Sequence, residues 1–388
     1  MSDVNIYLEE RFVNFKGSYY SLVYDNIFWE RYLNVFDRVK VIARVNYIDK
    51  IEDLPKGYKK VKNYKVEFIS LPYYKGLIQG IIVVPLLFFY VIKVVYKSEN
   101  NILRLPGIIS IITGLLSLII GRKFAVELVG DPYDVFSSGV GGKLSPLLRI
   151  IFTFFTKYLI RKANAVSYVT EKVMQERYPA LENTFCTHYS SICLEENVFD
   201  KKNIRKKINK NKCQILLVGS LEQMYKGFDI AVEAINILEF KSKIILHIVG
   251  DGFYKESLIK LIEEKELKKN VIFHGKVARE DIFSLMEKVD IFIMPSRTEG
   301  LPRALIEAMA KGLPAIGSNI GGIPELLNNN WIFKSEDYKD LAEKITELYY
   351  SNNIQDISES NMLKAKEFQS SILEIRRNKF YSVLKDSI

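Results

Sequence analysis

Two glutamates, Glu299 and Glu307, flank the seven residues GLPRALI within the segment 295–327, PSRTEGLPRALIEAMAKGLPAIGSNIGGIPELL. The residues around them predict a strand ending near Met294, a loop, and a helix over 302–311 with Pro302 at its first position. The helix amino-terminus then points out of the carboxyl edge of a sheet, where open α/β sheets bind ligands. The backbone N–H groups of Leu301, Arg303 and Ala304 lack partners within the helix and make a site for an anion such as a diphosphate. Glu299 belongs to the loop, and Glu307 to the helix, with its side chain tilted back toward the amino end. Two carboxylates beside an anion site are poor phosphate ligands but good acceptors for the hydroxyls of a polyol. A nucleotide sugar supplies both chemistries: a diphosphate, and the hydroxyls of ribose and hexose. A surface loop with two solvated glutamates would explain neither the Gly300-Leu301-Pro302 turn nor the second turn at Gly321-Gly322.

Elements must hold these positions. Residues 214–218 read as a strand followed by a turn at Gly219 and Ser220. Phe228, Ala231, Val232, Ile235 and Leu238 then recur at the spacing of a helix with one buried face. Further strands over 243–249, 271–274, 290–294 and 314–317 alternate with helices to about residue 265, over 279–288 and 302–311, and over 323–327. The first half shows the same alternation, with strands over 4–8, 39–45, 65–71, 101–105, 124–129 and 165–169 and helices after Pro106 and over 146–162. This pattern predicts parallel, doubly wound sheets. Between 201 and 212, seven of twelve residues are basic. That stretch reads as a solvated connector between a first domain, 1–200, and a second, 213–360. The tail, 361–388, is expected to be helical and to cross back to the first domain.

Composition bounds the partners. A length of 388 residues suits two domains, and a hydrophobic fraction of 48% excludes disorder. The net charge of +9 suits phosphate-bearing small molecules, anionic membrane surfaces or nucleic acid. The last is disfavoured because no nucleic-acid-binding motif occurs. Three cysteines without C-x-x-C spacing and three scattered histidines give no disulfide framework and no sulfur–imidazole metal site. The amino-terminus has no secretory pattern, so the expected setting is cytoplasmic. Residues 76–92 and 105–121 each run 17 residues without charge, close to the lower limit of about 17–25 for a bilayer span. Gln79 and Pro85 in the first, and Ser110, Thr113, Gly114 and Ser117 in the second, favour helices buried against a sheet. In 146–162, Arg149, Lys157, Arg161 and Lys162 interleave with Ile151, Phe152, Phe154 and Phe155. That mixture adds the expectation of peripheral contact with an anionic membrane at its inner face.

The ordered blocks Val218-Gly219-Ser220-Leu221, Tyr225-Lys226-Gly227, Val249-Gly250-Asp251-Gly252 and Phe273-His274-Gly275 precede the Glu299–Glu307 run. Together, over roughly residues 213–350, they resemble the signature of the retaining glycosyltransferases of family 4. The resemblance implies the α/β GT-B fold, two Rossmann-like domains with doubly wound parallel sheets facing across a cleft. It also implies transfer of a hexose from a nucleoside diphosphate sugar to a glycan or lipid-linked acceptor hydroxyl, in polysaccharide biosynthesis, with retention of configuration. No cofactor is expected. Metal-dependent transferases of the other common fold hold manganese with Asp-x-Asp, a spacing absent from this sequence.

Carried over by the resemblance, Glu299 is the catalytic contact to the donor sugar, Glu307 holds the ribose diol and Lys226 pairs with the diphosphate. Gly219, Ser220, Gly250, Gly275, Gly300, Leu301, Pro302 and Arg303 complete the donor site. Ser220 stands where the family usually has an arginine. Either its hydroxyl gives a weaker hydrogen bond, or Arg297 or Arg303 supplies the charge. In the first domain Asp131 is the candidate contact to the acceptor or transferred sugar. Gly17, in Phe15-Lys16-Gly17-Ser18-Tyr19, resembles the position at which the family closes a glycine loop over the donor phosphate, though without its paired glycines. Two other readings remain open: a non-catalytic sugar-nucleotide-binding component of a polysaccharide assembly complex, and a GT-B sugar-nucleotide epimerase.

Overall fold

The first strand buries Val4, Ile6, Tyr7 and Leu8 together, so both of its faces are covered, as a central strand of a parallel sheet requires. The computed structural model describes residues 2–137 and 141–386. The chain divides into two compact units, Met1–Tyr189 with Glu374–Ile388, and Ser190–Leu373. The first unit runs β1 (Asp3–Phe15), β2 (Ser18–Ser21), α1 (Asn26–Leu33), β3 (Arg38–Ile48), β4 (Lys59–Lys60), β5 (Val66–Leu71), α2 (Gly76–Tyr96), β6 (Asn100–Leu105) and α3 (Ile108–Ile120). It continues through β7 (Ala125–Leu128), α4 (Pro132–Ser137), α5 (Ser145–Ile160), β8 (Ala165–Tyr168), α6 (Val173–Arg177) and β9 (Phe185–His188).

Its parallel strands lie in the order β5-β3-β1-β6-β7-β8-β9, with β2 and β4 added antiparallel beside the far end of β1. The crossovers β5–α2–β6, β6–α3–β7 and β7–α5–β8 all step in one direction along the sheet. Right-handed connection therefore puts α2, α3 and α5 on one face, while β1–α1–β3 steps the other way and puts α1 on the opposite face. Leu87, Val91 and Val95 of α2, Ile109 and Leu116 of α3 and Leu148, Phe152 and Leu159 of α5 share one core with Leu103, Val126 and Val166 of the strands.

The second unit contains β10 (Cys213–Val218), α7 (Phe228–Asn236), β11 (Ile244–Val249), α8 (Lys255–Glu264), β12 (Val271–Gly275), α9 (Arg279–Met286) and β13 (Ile291–Met294). Then follow α10 (Arg303–Ala310), β14 (Ala315–Ser318), β15 (Ile332–Phe333), α11 (Tyr338–Tyr350), α12 (Ile354–Lys366) and α13 (Ser370–Asp386), whose later part belongs to the first unit. The strands pair in parallel, in the order β12-β11-β10-β13-β14-β15. Burial on both faces suits their continuous apolar runs, such as Ile215, Leu216 and Leu217.

Three expectations are corrected. Residues 201–212 are not a free connector, and the boundary falls at 189/190. Arg205 donates to the carbonyls of Val289 and Met286, and Ile208 is buried in the second core, which fixes the stretch to the second unit. Returning chain rejoins the first unit at Glu374, whereas the sequence suggested 361; α12 packs on α10 first. The apolar stretch 76–92 is not a buried helix. α2 is long and apolar enough to cross a membrane, with only 22% of its apolar window buried, whereas α3 is covered along most of its length.

Candidate functional site

The carboxyl ends of β10, β11, β12 and β13 deliver the candidate donor residues to one edge of the second sheet. Their loops bond to each other. Gly219 N–H donates to Val249, Gly250 N–H to Gly275, and Leu221 N–H to Asp251. Beyond β10 a single 3-10 turn, Met224–Lys226, ends at Gly227 in the left-handed region (φ +68°). A Cβ on Gly227 would lie 1.8 Å from the carbonyl oxygen of Pro295, so only glycine lets the Lys226 loop press against the loop after β13.

That contact pairs the two charges. Lys226 Nζ is 2.5 Å from Glu299 Oε1, and Ser296 Oγ donates to the same oxygen at 2.8 Å. The Lys226 stem lies over Gly219, where a Cβ would meet its Cγ at 2.9 Å. Gly321 (φ +54°) is the second demanding glycine, since a Cβ there would be 1.9 Å from the Glu299 carbonyl oxygen. Gly322 N–H donates to Gly300 at 2.7 Å. The Gly321-Gly322 turn thus braces the Glu299 loop from behind.

Pro302 caps α10 with extended backbone, and Arg303 is the first helical residue. This shifts the expected start by one position, because the Pro302 carbonyl accepts the first helix bond, from Ile306. The first-turn amides of α10 point to the same edge as Lys226, giving the loop a partial positive charge. Glu307, one turn into α10, is largely covered and bound by Arg279 of α9, through Nε at 2.9 Å and Nη2 at 2.8 Å. Burial raises its pKa above the ordinary carboxylate value, against the opposing pull of Arg279 and Arg303.

Of the cations considered for the Ser220 position, Arg297 is committed elsewhere. It forks onto both oxygens of Asp229, bonds Glu336 and donates to the Met224 carbonyl, so it anchors the Lys226 loop. Arg303 is exposed at the start of α10. Ser220 Oγ accepts from Glu222 N–H within its own turn.

The first unit treats its two candidates differently from expectation. Asp131 is buried, its carboxylate engaged by Arg177, by Tyr178 Oη at 2.5 Å and by the Tyr133 amide at 2.8 Å. It anchors the start of α4 and offers no free oxygen outward. Gly17 lies in a tight hairpin turn, where the resemblance suggested a glycine loop. With Lys16 it forms the two-residue turn of the β1–β2 hairpin, both residues at positive φ.

Residues 199–364 match the family described as glycosyl transferases group 1. Protein CapJ of Staphylococcus aureus is 29% identical over 91% of this chain and 87% of its own length. A putative colanic acid biosynthesis glycosyltransferase, WcaL of Salmonella typhimurium, is 31% identical over 37% of each chain. Among solved structures, the sucrose-phosphate synthase of Thermosynechococcus elongatus aligns over 100% of both chains with a TM-score of 0.72 at 13% identity. Anabaena Alr3699/HepE in complex with UDP-glucose aligns over 100% of both chains with a TM-score of 0.67 at 15% identity.

The whole chain has the GT-B fold, with a parallel-sheet Rossmann-like domain in each unit. The second unit also holds three partners of the candidate residues that the sequence reading missed: Arg279 on Glu307, Ser296 on Glu299, and Asp229 on Arg297. Ser296 and Asp229 stand three residues from Glu299 and Lys226, respectively. Their proximity was the only local signal. Arg279 lies 28 residues from Glu307, and only the packing of α9 beside α10 joins them.

Proposed function

We propose that the protein transfers a hexose from a nucleoside diphosphate sugar to a hydroxyl of a glycan or lipid-linked acceptor in polysaccharide synthesis, with retention of configuration and without a metal. The observation that carries this reading is the Lys226–Glu299 ion pair at the amino-terminus of α10. It puts a cation, helix amides and a sugar-binding carboxylate within one site. The HepE complex with UDP-glucose and the relative named for colanic acid biosynthesis support the donor and pathway classes.

On donor binding Lys226 leaves Glu299 for the diphosphate, and Glu299 accepts from the sugar hydroxyls. Glu307 takes the ribose diol while Arg279 holds its carboxylate in place. Negative charge growing on the leaving diphosphate meets Lys226, Arg303 and the α10 dipole, which stabilise it without reorganising. The acceptor attacks the anomeric carbon from the face the diphosphate leaves, and the departing phosphate oxygen takes the hydroxyl proton. Glu299→Ala is expected to lower kcat by about a hundredfold or more while the melting temperature stays near that of the parent. Transfer is measured with a panel of nucleotide sugars, with chelator present in parallel. Full activity in Glu299→Ala would falsify its assigned role, and loss of activity with chelator would remove the metal-free mechanism.

A further inference from the structure

Two helices on one face of the first unit leave most of their apolar surface uncovered. α2 buries only the stripe Gly80, Leu87, Val91 and Val95. Its other side presents Ile78, Ile81, Ile82, Leu86 and Phe89, with Ile82 71% exposed. α5 repeats the arrangement, since Leu148, Phe152 and Leu159 face the core while Leu147, Ile150 and Phe154 face outward. α3 packs against both: a Cβ on Gly80 would touch Ile108, and one on Gly114 would lie 2.6 Å from Leu159. Apolar exposure gathered on two helices around a shared neighbour differs from the single exposed side chains of an ordinary surface.

The charges carried by these two helices and the residues at their ends have one sign. Residues 75–97 contain Lys75, Lys93 and Lys97 and no acid, and residues 143–162 contain Lys143, Arg149, Lys157, Arg161 and Lys162 and no acid. Long aliphatic stems let such heads reach a polar layer while the chain stays against hydrocarbon. Tyr90, Tyr96 and Tyr158 are exposed on the same helices, and tyrosine rings collect at the lipid–water boundary. A second copy of this face would bring like charges together, whereas an anionic bilayer satisfies both the apolar side chains and the cations.

We propose that α2 and α5 form a membrane-docking face that lies in the interface of an anionic bilayer. The proposal stands independently of the sugar-transfer reading, because it rests on the first unit alone. α2 has the length of a span, yet its buried stripe is packed on the domain core. The helix therefore lies along the bilayer surface and does not cross it.

The test is flotation of the full chain with vesicles of phosphatidylcholine, with and without phosphatidylglycerol. The chain is expected to float with the anionic vesicles, and about tenfold less with neutral ones or in high salt, which screens the cations. The paired changes Ile82→Asp with Phe89→Asp, and Ile150→Asp with Phe154→Asp, are each expected to abolish flotation while preserving the melting temperature and nucleotide-dependent thermal shift. Flotation of these variants at the parental level overturns the proposal, as does failure of the parent to bind anionic vesicles. A dimer broken by the same changes, without vesicle binding, would assign the face to a second copy. Retention in the membrane after alkaline carbonate extraction would replace the interfacial helix by a spanning one.

Discussion

The cation proposed for phosphate is held by the carboxylate proposed for sugar, and the carboxylate proposed for ribose is held by Arg279. On the proposed reading, donor binding is an exchange of partners within this set of charges. Glu307 makes the exchange sensitive to pH. Burial lifts its pKa above the ordinary value, so the site protonates at a higher pH than a solvated glutamate near 4.3 would. A raised folded-state pKa contributes stability below the unfolded pKa and loses it as pH rises through the folded one. At neutral pH the ionised Glu307 therefore opposes folding relative to its protonated form, and hydrogen bonds from a bound diol offset that cost. Donor affinity is expected to fall on acidification while the pH is still above the usual glutamate range. Glu307→Gln should flatten this profile and raise the donor Kd about tenfold, or ~1.4 kcal/mol. Calorimetric titration of the nucleotide across pH checks both.

At the scale of elements, α13 closes the first unit around one buried carboxylate. Glu127 of β7 accepts from Tyr189 at 2.8 Å, from Tyr381 of α13 at 2.9 Å, from Tyr32 of α1 at 3.0 Å and from Arg104 of β6. Burial alone would raise its pKa. The Arg104 charge and the tyrosine hydroxyls outweigh burial and hold it below the usual value. A depressed carboxylate contributes stability above its unfolded pKa and loses it as pH falls through the folded value. Tyr381→Phe removes one donor from this carboxylate and is expected to cost about 1–3 kcal/mol in chemical denaturation at neutral pH, with less cost in acid.

Elements with continuous apolar runs between glycine turns were legible. Residues 214–218 anticipated β10, and 101–105 anticipated β6, each to within one residue. The first strand read as 4–8 extends to Phe15 because Glu9, within it, is held by Tyr74 and by the Ile109 amide, contacts no local pattern reveals. α2 misled for the opposite reason: its composition is that of a buried helix, and composition cannot say which side is covered. The local placement of Lys226 and Glu299 in loops beyond strand ends, and of Glu307 inside the helix that follows, was legible from the turn residues around them. Arg279, Arg177 and Tyr381 were not, since their roles depend on chain that returns from far away.

At the scale of the molecule, the proposed donor site draws all its residues from Ser190–Leu373. That unit is continuous in sequence and has its own core from Ile208 to Ile354. Expressed alone, it is expected to fold cooperatively and bind a nucleoside diphosphate with the affinity of the full chain, while transferring no sugar. Circular dichroism and titration calorimetry test this, and an unfolded or non-binding fragment would show that the site needs the first unit.

The first unit is not continuous, for its Tyr381 arrives after the whole of the second has been made. On the ribosome, amino-terminal chain folds first, at about 5–20 residues per second. Here the opening half must wait for the closing residues before Glu127 gains its last donor. A message cut short at any codon before Tyr381 yields a product with that carboxylate under-satisfied, however sound its nucleotide-binding half.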